Sequence, residues 1–138
     1  MTLHIHLQVV GCLLVLLGLS HAFMNRHFGW SKELAEVSLL TRQIFYVHAF
    51  FIALGVVLGG VVSLAFPDAL LSSAPPNRAI LASMAFFWFC RLLAQFFAYD
   101  GAIWRGNQYR TCMHVAFSIL WCYVTAIYSL AFIKVCGA

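Results

Sequence analysis

The chain has 138 residues, of which 64% are hydrophobic and only 9% charged, well outside the range of soluble globular domains. Its net charge of +4 is spread over short loops, which excludes a nucleic-acid-binding surface. The composition is that of an integral membrane protein with little chain left over for an extramembrane catalytic domain.

Four apolar runs, residues 3–24, 44–66, 79–99 and 111–133, each approach the ~20 residues needed to cross hydrocarbon as a helix. The expected fold is all-α, a single four-helix transmembrane bundle over residues 1–138 with a short amphipathic stretch between its first two helices. The first run ends in Ser20 and Ala22, a small-x-small pattern, but residues 1–6 carry no lysine or arginine, so it reads as a retained helix and not a cleaved leader. His4 and His6 at its outer end form an H-x-H pair that could grip a metal, although no third ligand lies nearby in sequence.

Residues 25–43 are the longest polar stretch. Ser31, followed by Lys32, Glu33 and Leu34, has the pattern of a helix N-cap, and Leu34, Val37, Leu40 and Phe45 leave an apolar stripe suited to the membrane interface. In the second run Gly55 and Gly59 have the G-x-x-x-G spacing that permits close helix approach. His48 falls within about 20° of both glycines on a helical wheel and is expected to share their buried face.

Pro67 ends the second helix, and Ser72, Ser73, Pro75, Pro76 and Asn77 make an irregular loop before the third. The third run carries Arg91 about two turns inside one end. A charge near the middle of a membrane helix costs roughly 2.5–3.5 kcal/mol, so it calls for snorkelling, an aromatic face, helix-end carbonyls or a bound anion. Asp100 is the nearest acid, but it lies about half a turn round the same helix and ~13 Å along it, too far for a local pair. On the fourth run His114, Ser118, Trp121, Thr125 and Tyr128 recur at helical spacing and form one polar stripe.

Arg26, Lys32, Arg42, Arg105 and Arg110 flank the first and third loops, against Arg78 and Lys134 on the opposite side. By the positive-inside rule those loops are cytoplasmic and both termini face outward. Alternate threading then brings His21, His48, Gln95 and His114 to one depth, with Arg91 a turn deeper and Trp88 beside it. The candidate ligand-binding residues are therefore Arg91, Gln95, Trp88, His48 and His114, which could hold a lipid headgroup, a carboxylate or a quinone-like carbonyl.

Two function classes follow. The first is a non-enzymatic membrane protein, either an accessory subunit of a complex or a homo-oligomer, or a binder of a small anionic or lipid-like ligand at a cytoplasmic-side pocket around Arg91. The second is a b-type haem or metal-binding redox subunit that uses His48, His114 and His21. The first is favoured and implies no cofactor. No catalytic residue or metal site is assigned, because the chain has no nucleophile with an adjacent base, no acid pair and no C-x-x-C among Cys12, Cys90, Cys112, Cys122 and Cys136. The cysteines read as packing residues.

At Leu40-Thr41-Arg42-Gln43-Ile44-Phe45, and again at Trp88, Arg91-Leu92 and Gln95-Phe96 before Asp100, the chain resembles an uncharacterised family of small four-helix bacterial membrane proteins. The resemblance covers about the middle half of the chain. It implies a bacterial inner-membrane location and adds weight to Arg42, Trp88, Arg91, Gln95 and Asp100. It brings no activity with it, and the H-x-H pair and the histidine trio are not part of it.

Overall fold

In the computed structural model, residues 2–137 are described, apart from the side chain of Asn25. The described chain is helical without strands, and four of its helices are long and apolar enough to cross a membrane, so it reads as an integral membrane protein. They are α1 (Thr2–Phe28), α3 (Leu39–Ala65), α5 (Pro75–Phe97) and α6 (Gln108–Cys136), joined by the four-residue helices α2 (Trp30–Glu33) and α4 (Pro67–Leu70) and a 3₁₀ turn (Gly101–Ile103). Each long helix starts before its apolar sequence run, because a helix begins at a cap and not at the hydrocarbon edge.

The caps are local and mostly polar. Ser38 Oγ accepts from the Thr41 amide at 3.2 Å and starts α3 five residues before the apolar run does. Asn107 Oδ1 accepts from the Arg110 amide at 3.0 Å and starts α6, directly after Gly106 turns the chain at φ 80°. Ser31 caps nothing. The short α2 is entered through Gly29, whose φ of 66° is open to glycine at no steric cost, and it ends at Leu34.

The described residues form two compact units: the first turns of α1 with everything from Asp68 onward, and Leu7–Pro67. In the second unit α1 and α3 are antiparallel and meet through glycine. A Cβ on Gly11 would lie 2.7 Å from the Gly60 carbonyl oxygen, and one on Gly60 would lie 2.9 Å from that of Gly11. A Cβ on Gly18 would strike the Val57 side chain and lie 3.0 Å from the Ala53 carbonyl. The face of α3 turned to α1 is thus Ala53, Val57, Gly60 and Leu64, a seven-residue repeat of the kind expected for closely packed membrane helices.

That face corrects the expectation for the second run. Gly55 has nothing within 4 Å of where a Cβ would sit and is exposed, as is His48. Counting 100° per residue, His48 lies about 120° round α3 from Gly60, so the stripe it shares with Gly55 is not the one that packs on α1.

In the other unit α5 and α6 are antiparallel neighbours. Leu81, Trp88 and Gln95, spaced by sevens, are the buried residues of α5. On α6 Trp121, Val124, Tyr128, Ala131 and Val135 form the matching alternation of three and four. The start of α1 joins this unit through His6 Nδ1, 2.8 Å from Tyr123 Oη, and His4 Nε2, 3.4 Å from Asp68 Oδ2. The H-x-H pair is therefore split between two partners, as a spacing of two on a helix requires.

Candidate functional site

The heptad seam of α5 makes Gln95 a core residue, only 4% exposed, and a buried amide must find partners for its donors and its acceptor. It finds them on both sides. Arg91, one turn back on the same helix, donates from Nη1 to Gln95 Oε1 at 3.2 Å. Gln95 Nε2 stands 2.8 Å from His114 Nδ1 on α6. The result is a continuous polar chain, Arg91 to Gln95 to His114, spanning the two helices at the end that carries the Gly101–Ile103 turn.

Both ends of the chain are braced by aromatic rings. The Arg91 guanidinium carbon lies 4.7 Å from the centroid of Trp121, and Trp121 is stacked on Trp88 with centroids 5.3 Å apart at 13°. His114 is stacked under Trp104 at 4.1 Å and 30°, with the edge of Phe96 at 6.2 Å. The Thr111 hydroxyl, hydrogen-bonded to the Trp104 carbonyl at 3.1 Å, fixes the turn that carries this ring.

Magnitudes decide how Arg91 is tolerated. A cation–π contact away from water gives about 2 kcal/mol and a hydrogen bond to a charged group about 1.5–3 kcal/mol, comparable with the roughly 2.5–3.5 kcal/mol cost of a charge in the span. Trp121 and Gln95 thus offset that cost without a carboxylate. A guanidinium nevertheless has five N–H donors, and Gln95 accepts from one of its nitrogens. Asp68 Oδ2 lies 3.4 Å from His4 Nε2, and Asp100 is taken up in accepting from the Ala102 amide at 2.8 Å. Arg91 is half-buried, so part of its donor surface stays available.

Of the residues expected to converge, Arg91, Gln95, Trp88 and His114 belong to one contact network. His21 and His48 belong to the other unit, and each directs Nδ1 to the carbonyl four residues back on its own helix: Leu17 at 2.9 Å and Ile44 at 2.8 Å. Among the described residues no group of three or more His, Cys, Asp or Glu is placed to hold a metal ion. Two contributors were not assigned from sequence. They are Trp121, which the sequence shows only as one member of the α6 stripe, and Trp104. The heptad of α5 was available as a signal for Trp88 and Gln95, whereas the Trp104 contact depends on how the turn folds back.

Close to this network the indole Nε1 atoms of Trp88 and Trp121 and the Thr125 hydroxyl are buried without hydrogen-bond partners. No family model, no curated protein and no solved structure matches this chain.

Proposed function

We propose that the protein is a non-enzymatic integral membrane protein that holds the anionic group of a lipid-like molecule at Arg91. The observation that carries this reading is a half-buried arginine within a membrane-spanning helix that, among the described residues, is hydrogen-bonded to a single side chain and paired with no carboxylate. A phosphate or carboxylate would take up the remaining donors in charge-assisted bonds, about twice as strong as neutral ones. Trp121 and Gln95 fix the guanidinium beforehand, which lowers the ordering cost of binding.

Arg105 and Arg110, which follow the site in sequence, support a cytoplasmic-side site with both termini outside by the positive-inside rule, and a bacterial inner membrane is what the sequence resemblance implies. Exposed rings such as Phe86 and Phe97, at 69% and 83%, would face lipid or a membrane partner in a complex. The haem or metal alternative has less support, because His48 is exposed and turned away from α1 while His114 is engaged by Gln95.

The test is native mass spectrometry of the protein released from bilayers of mixed phosphatidylglycerol and phosphatidylcholine. The expected result is preferential retention of the anionic lipid, lost in Arg91→Gln. Equal retention of the two lipids by the unaltered protein would sink the reading.

A further inference from the structure

The polar chain has a direction, and the direction follows from the one member that cannot turn round. A guanidinium only donates, so the Gln95 atom facing Arg91 must be its carbonyl oxygen. The amide nitrogen is then the atom 2.8 Å from His114 Nδ1, and an amide nitrogen also only donates. Nδ1 must therefore accept, which leaves the proton of the neutral imidazole on Nε2. Because Gln95 is 4% exposed, the amide cannot exchange either partner for bulk water.

We propose that Gln95 is a positioning residue that locks His114 as the Nε2–H tautomer, so that both ends of the chain present donors only and the site favours ligands of net negative charge. The selectivity half rests on the anionic-ligand reading above; the tautomer half does not. The lock separates His114 from His21 and His48 by chemistry. His114 has its Nδ1 lone pair occupied and a proton on Nε2, and so has no lone pair free for a metal. Metal-ligating histidines show the reverse polarity, with the second nitrogen donating to a carbonyl or carboxylate. His21 and His48 have that reverse polarity, since Nδ1 of each faces a carbonyl and must donate. The histidine best placed beside Arg91 is thus the one least able to bind haem iron, zinc or copper.

Gln95→Glu inverts the lock with almost no change of shape. A carboxylate in that place accepts from Arg91 and from His114 alike, so His114 must carry its proton on Nδ1, and the charge of Arg91 is neutralised from within. The experiment is long-range proton–nitrogen correlation on histidine-labelled full-length protein in detergent at alkaline pH, with the His114 ring identified by its loss in His114→Gln. The unaltered protein should show His114 as Nε2–H alone, and Q95E should show Nδ1 protonated. Nδ1–H in the unaltered protein, or an unchanged tautomer in Q95E, overturns the lock; should Q95E fail to fold, the first measurement decides by itself.

The selectivity half is read from the same lipid-retention assay. Preference for phosphatidylglycerol over phosphatidylcholine should fall by about tenfold in Q95E, the effect of one lost charge-assisted contact. Preference retained in a Q95E whose tautomer has switched overturns the selectivity half. Absence of any preference in the unaltered protein, with the Nε2–H tautomer present, removes the ligand reading and leaves the lock standing.

Discussion

Gly11 on α1 and Gly60 on α3 press backbone against backbone: each carbonyl oxygen lies closer than 3 Å to where the other residue's Cβ would stand, at 2.9 and 2.7 Å. No flexible side-chain end can yield there, because the two nearest obstructing atoms at each glycine are main-chain oxygen and nitrogen. Gly11→Ala or Gly60→Ala should therefore separate the helix pair and cost about 1–3 kcal/mol, the usual range for overpacking. Gly55→Ala, which meets nothing within 4 Å, should instead gain roughly 0.5–1 kcal/mol from improved helix propensity. Thermal unfolding of the three variants in one detergent separates these outcomes, and a destabilised Gly55→Ala would put the packing face back on the G-x-x-x-G stripe.

Thr125 offers a stabilising substitution. Its hydroxyl is buried without a partner, and replacing it by a methyl group keeps the volume while removing the desolvation penalty. Thr125→Val should raise stability by about 1 kcal/mol, seen as a higher unfolding midpoint in detergent. A lower midpoint would mean that the hydroxyl is hydrogen-bonded in the membrane-embedded protein.

Removing the middle of the polar chain should cost more than removing an end. Gln95→Leu leaves the Arg91 guanidinium and His114 Nδ1 without the bonds of 3.2 and 2.8 Å that they now make, and the loss should be about 2–3 kcal/mol. A double-mutant cycle on Arg91→Leu and Trp121→Leu should return a separate coupling of about 0.5–2 kcal/mol for the cation–π contact. Strict additivity would show that the ring gives Arg91 no support.

Helix starts are testable one residue at a time. Ser38→Ala removes the side-chain acceptor of the Thr41 amide and should cost about 1 kcal/mol, whereas Ser31→Ala should be silent. Guanidinium-free chemical or thermal unfolding followed by far-ultraviolet dichroism gives both values, and equal effects would restore Ser31 as a cap.

Much of this protein is dictated by its sequence alone. Four apolar runs with no carboxylate inside them can satisfy their backbone only as membrane helices, with Pro67 marking where one of those helices stops and Asn107 where another starts. Arg91 stands out as costly for the same reason, since the cost of a charge before any neighbour compensates it is set by its depth. What the sequence could not state is which of several equivalent helical stripes is turned toward a partner. His48, Gly55 and Gly59 share a stripe on paper, yet α1 packs on the stripe through Gly60, because its own glycines, Gly11 and Gly18, have that face to meet. Likewise Arg91, Gln95 and His114 could be placed at a similar depth from spacing, but their order, their bonds and the tautomer that follows from them arise only where the α5 heptad carries Gln95 into the seam against α6. Periodicity fixes a residue's angle on its own helix; only packing decides what stands opposite.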